Sequence, residues 1–67
     1  MRPFQVGDRF KSNDVKEIVE VRWVDPQDAN CAVVFNVANQ SEDETVFASD
    51  FFLHWSLVAE GTRSLAA

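Results

Sequence analysis

Cysteine is almost missing from this chain: among 67 residues only Cys31 carries a thiol. No disulfide can form within one copy, and no CxxC or Cys/His cluster offers the spacing of a structural zinc site. Tyrosine is absent, histidine is limited to His54, and glycine and proline number two each. So little glycine and proline excludes a linker-type disordered composition. Long apolar runs are lacking too. The longest, Cys31 to Phe35, falls far short of the roughly 20 residues a transmembrane helix needs. The opening MRPFQVGDRF has none of the apolar core of a signal peptide. A lone thiol and no export signal set the expectation of a cytoplasmic protein.

Cations are also scarce, with six Lys and Arg against eleven Asp and Glu, a net charge of -5. Their placement is uneven: residues 1–24 are net +1 and residues 25–67 net -6. An acidic half disfavours nucleic-acid binding, which draws on clustered Lys and Arg. What the chain does have is apolar and aromatic mass: 46% hydrophobic residues, six of them Phe and two Trp. A chain this short buries only about 60% of its extended surface. With no disulfide or metal, it depends on a dense aromatic core or on oligomerisation.

The pattern predicts five short strands. Phe4 to Lys11 is the first element, bent at Gly7-Asp8, and Ser12-Asn13-Asp14 is a loop of residues that bond their own backbone. From Val15 to Val24, Val15, Glu17, Val19, Val21 and Trp23 alternate with Lys16, Ile18, Glu20, Arg22 and Val24. That period of two, with β-branched residues, reads as strand. Asp25-Pro26-Gln27-Asp28-Ala29-Asn30 reads as a turn, with Pro26 presetting φ. Cys31 to Val37 is apolar on both faces, as a central strand should be. A polar loop over Ala38 to Glu44 leads to a strand from Thr45 to Ala48. Ser49 fits a helix N-cap, Phe51 and Trp55 then lie four apart on one side of a helical turn, and Ser56 to Ala59 is the last strand.

Short connections and the absence of a long crossover helix argue for antiparallel pairing. The expected fold is all-β: a small five-stranded antiparallel SH3-like barrel over residues 1–60, with one helical turn before the last strand and a flexible tail over 61–67. Its expected core is Val6, Phe10, Val19, Val21, Trp23, Val33, Phe35, Val46, Trp55, Leu57 and either Phe51 or Phe52.

The residues Val6-Gly7-Asp8-Arg9-Phe10, Val19-Glu20-Val21, Val33-Val34-Phe35, Val46, Phe52 and Trp55-Ser56-Leu57-Val58 resemble the short SH3-like proteins of unknown function encoded by phages and prophages. The similarity spans residues 6–59. It implies a bacterial or phage origin and an SH3-like barrel, and it carries over no catalytic or binding residue. The eukaryotic peptide-binding SH3 domain fits less well, because its groove uses Tyr beside Trp to hold proline-rich ligands.

Catalytic and metal chemistry have thin support. Cys31 and His54 are the ingredients of a nucleophile–base pair, but no third orienting group follows from their spacing, and a buried structural thiol is the simpler reading. Asp25, Asp28 and Asn30 lack the alternate spacing, central Gly and closing Glu of a calcium loop. No enzyme, cofactor or metal site is expected.

Phe51-Phe52-Leu53 cannot all face one core, since neighbours on a helix point about 100° apart, so one of them is expected at the surface. Exposed aromatics beside polar residues mark interfaces. The expected function is therefore a protein-interaction module, with Phe52, Leu53, Glu42, Asp43, Glu44 and Asp50 meeting a basic surface on a partner. A second expectation is a nucleic-acid-binding barrel using Arg9, Lys11, Lys16, Arg22 and Trp23; a third is a structural homo-oligomer.

Overall fold

The computed structural model describes residues 3–40 and 43–61. Five strands and one short helix follow in order: β1 (Arg9–Ser12), β2 (Ile18–Val24), β3 (Cys31–Asn36), β4 (Glu44–Phe47), α1 (Ala48–Phe51) and β5 (Trp55–Ala59). All the pairings are antiparallel, and the strand order is β4-β3-β2-β1-β5. This is the expected small all-β, SH3-like arrangement, with the helical turn in the expected place. The barrel, however, is not closed by hydrogen bonds. The end strands β4 and β5 share no ladder, and Phe51 of α1 stacks on Trp55 at the start of β5.

Local polar groups form each connection. After β1, the Ser12 hydroxyl accepts the amides of Asp14 and Val15 at 3.1 and 3.2 Å. Between β2 and β3 the expected turn forms, with Asp28 N–H bonded to Asp25 C=O at 3.2 Å and the Asp25 carboxylate accepting Gln27 N–H at 2.8 Å. Ser49 is not the N-cap. That position belongs to Phe47, still in extended conformation, and no side chain caps the helix. The chain runs straight from β4 into α1, and the Asn30 carbonyl takes the Ala48 amide at 2.8 Å. A backbone group thus does the work a capping side chain would do, and Ser49 lies inside the helix.

The buried core is Phe4, Phe10, Val19, Val21, Ala32, Val34 and Phe51, with Val24, Val46, Ala48 and Trp55 packed against it. Of the expected core residues, Phe10, Val19, Val21 and Phe51 are buried, while Val46 and Trp55 are half-buried. Val6, Trp23 and Leu57 are exposed, and Val33 and Phe35 sit half-buried on the other face of β3.

Two physical causes account for these corrections. In β2 the register slips between Val21 and Trp23: Val21 opposes Val34, and Trp23 opposes the very next residue, Val33. Arg22 is the extra residue of a bulge, which reverses the alternation beyond it. Val24 then points inward and Trp23 outward. On β3, the interior is already occupied by three rings, Phe4, Phe10 and Phe51, with centroids 5.0 to 5.9 Å apart. The face carrying the small Ala32 fits against them better than the face carrying Val33 and Phe35, since a close-packed interior has no room for surplus volume.

Phe4, which the alternation pattern does not mark, has no exposed surface at all. It precedes a tight turn in which Gly7 adopts φ 92 and Gly7 N–H bonds Val21 C=O at 2.8 Å. The turn folds the N-terminal segment back over one end of the sheet, so the Phe4 ring plugs it. Gly61 is likewise buried, and its amide reaches the Asp8 carboxylate at 2.7 Å. The remaining tail positions, 62–67, lie outside the described residues.

Candidate interaction surface

α1 and the turn that follows it form one corner of the molecule. Phe51 points inward, and Trp55 stacks on it with centroids 5.5 Å apart and planes only 1° from parallel, the contact their spacing predicts. Phe52 turns its ring onto Phe4, at 5.1 Å and 24°, and remains 40% exposed. Leu53 is the residue pushed outward, at 69% exposure. The turn is fixed by main-chain bonds, with Leu53 N–H on Asp50 C=O at 3.2 Å and His54 N–H on Phe51 C=O at 3.0 Å. Of the three bulky neighbours, then, one is core, one is shared between core and surface, and one is free surface.

The acidic residues divide. Glu44 and Asp50 border a single cleft of about 180 Å³ that also touches Trp55 and His54. Asp43 instead receives the Arg22 guanidinium at 2.8 Å. Glu42 lies outside the described residues. The structure thus brings Glu44 and Asp50 together beside the exposed turn, and it commits Asp43 to an intramolecular pair.

The alternative basic face is dispersed. Arg9 bonds Glu20 at 2.9 Å, and Arg22, bonded to Asp43, also lies over the Phe35 ring at 4.1 Å. Exposed pairs of this kind contribute little stability, about 0–1 kcal/mol, but they do neutralise the charges a phosphate would seek. Lys11 and Lys16 share a shallow depression at the β1–β2 turn, whereas Trp23 stands near the opposite end of β2.

Cys31 occupies the first position of β3, opposite Phe47 on the outer face. Partial burial, and then the nearby carboxylates of Asp25 and Asp28, push its thiol pKa up. Nucleophilic activation requires the reverse shift. Asp25 and Asp28 use carboxylate oxygens to hold the amides of Gln27 and Asn30, which is turn chemistry. Among the described residues no three His, Cys, Asp or Glu side chains converge to hold a metal, and no helix is long and apolar enough to cross a membrane.

A further surface escaped the sequence pattern. Trp23, Val33 and Thr45 form a cross-strand row, with Cys31 and Phe47 forming the next. Trp23 and Phe47 are 46% and 54% exposed. The signal was there in the doubly apolar β3, which reads equally well as a strand buried on both faces and as one whose second face is an apolar surface. Comparison with known proteins gave no match to any family model, curated protein or solved structure.

Proposed function

We propose that this chain is a non-enzymatic protein-interaction module, of the kind encoded by phages and prophages, that binds and modulates a host protein in the cytoplasm. The observation that carries the reading is the corner at Leu53: a bulky aliphatic side chain standing out from a turn braced by the Phe4–Phe10–Phe51–Phe52 rings. Exposed apolar patches rimmed by polar residues mark interaction sites. Glu44 and Asp50, in the adjoining cleft, favour a partner with Lys or Arg at its rim, which steers encounter and selects partners. Pairing of Arg9 and Arg22 with carboxylates weighs against the nucleic-acid alternative.

Leu53→Ser is the cleanest test, because Phe52 also packs on the core. Tagged protein and the variant are each passed through bacterial lysate treated with nuclease. A stoichiometric protein retained by the parent and lost by the equally stable variant supports the module. Material released wholly by nuclease would replace it with a nucleic-acid function of the Lys11/Lys16 face, and concentration-dependent size with nothing retained would replace it with a homo-oligomer.

A further inference from the structure

The free edge of β4 has a composition and a setting that the corner alone does not explain. β4 ends the sheet, and its outer side has no ladder partner among the described residues. The directions of its backbone groups follow from its neighbour. Asn30 C=O points to β4, accepting Ala48 N–H at 2.8 Å, while Cys31 C=O points to β2, accepting Asp25 N–H at 3.0 Å. Polar groups alternate sides along an antiparallel strand, so Ala32 faces β4 and its opposite residue Val46 faces back. Thr45 is left with its N–H and C=O directed to the open edge, and Phe47 with its N–H, the Phe47 carbonyl being taken up as the N-cap acceptor of α1.

The two sides of that edge differ in chemistry. Pairing of Thr45 with Val33 and of Phe47 with Cys31 places their side chains on the outer face, continuous with Trp23. On the inner side, Glu44 and Asp50 border the cleft beside Trp55. Ion pairs among the described residues are Arg9–Glu20 and Arg22–Asp43, so neither of these carboxylates is neutralised by a cation.

We infer that β4 receives an extended segment of the protein partner as an added strand, whose residues alternate between apolar and Lys/Arg. Main-chain bonds to the N–H and C=O of Thr45 and to the N–H of Phe47 supply affinity, and the period of two sorts the side chains. Apolar ones extend the Thr45/Phe47/Trp23 face, and cationic ones enter the cleft against Glu44 and Asp50. The inference rests on the interaction-module reading and names the mode of binding at that same acidic cleft.

The probe is a blocked peptide of alternating valine and lysine, titrated into the isotope-labelled intact chain. Binding is expected to shift the Thr45 and Phe47 amide resonances and slow their hydrogen exchange. The valine–glutamate counterpart should leave them unchanged. Thr45→Pro removes an outward N–H and no ladder bond, a change edge strands tolerate, and should weaken binding roughly tenfold. Peptides N-methylated at alternate residues make the same test without altering the protein: one methylation register should bind and the other should fail. Equal binding of the two charge types, or of the two methylation registers, overturns the inference, as does peptide binding that leaves the β4 amides untouched. If that happens while Leu53→Ser still abolishes partner capture, the module stands and only its strand-addition mode falls.

Discussion

Asp8 and Gly61 lie 53 residues apart and are joined by a buried bond, the Gly61 amide donating to Asp8 Oδ1 at 2.7 Å. The second carboxylate oxygen accepts Gln5 N–H at 2.9 Å, so one side chain ties the start of the chain to the end of its last strand. Gly61 is required by space: a Cβ there would collide with the Val6 carbonyl and the Gly7–Asp8 backbone. Asp8→Ala leaves the buried Gly61 amide and the half-buried Gln5 amide unsatisfied and should cost about 1–3 kcal/mol. Gly61→Ala should cost about 1–3 kcal/mol through forced backbone displacement. Urea unfolding followed by tryptophan fluorescence measures both, and a change below about 0.5 kcal/mol in both would show that the latch is idle.

Phe4 and Trp23 make a matched contrast. Both are large aromatics near the ends of the strand system, but Phe4 is enclosed by Phe10, Phe51 and Phe52, whereas Trp23 stands on the outer face. Phe4→Ala should cost about 3–5 kcal/mol. That is a large part of the roughly 3–10 kcal/mol expected for a domain of this size. Trp23→Ala should cost under about 1 kcal/mol. Thermal unfolding by circular dichroism separates them, and equal losses would place Trp23 in the core.

The Cys31 thiol carries a pH prediction. Partial burial and the Asp25 and Asp28 carboxylates raise its pKa, so the thiolate forms at higher pH than in an unstructured peptide. Maleimide-type labelling of the folded chain should have a rate–pH profile displaced to the alkaline side. Asp25→Asn combined with Asp28→Asn should move the profile part of the way back, burial being the larger cause. The folded state holds this proton more tightly than the unfolded one. The stability tied to it is therefore complete below the unfolded thiol's pKa and is lost as pH rises through the folded one. A profile displaced to the acid side would contradict the arrangement.

Much of the architecture was legible because it depends on local rules. The period of two over Val19 to Val21, the turn chemistry of Asp25 to Asn30, and the spacing of Phe51 and Trp55 each act within a few residues. The candidate surface was legible in part. Crowding at Phe51-Phe52-Leu53 required an exposed residue, but only packing against Phe4 selected Leu53 and kept Phe52 half committed to the interior. Pairing of Asp43 with Arg22 crosses from β2 to the segment before β4, and nothing in either sequence neighbourhood announces it.

By itself, then, the sequence determined an all-β chain of five short antiparallel strands with one helical turn before the last, since alternation, turn residues and connection length are properties of contiguous segments. Tertiary structure alone decided which face of β3 is buried, where Phe4 goes, and that β4 and β5 do not pair to close the barrel. Those outcomes depend on a shared volume: three phenylalanine rings fill the centre, a bulge at Arg22 turns Trp23 outward, and the space left admits Ala32 and Val34. A competition among distant side chains for one interior has no counterpart in local spacing, and here its outcome places Trp23, Val33 and Phe47 on the outer face.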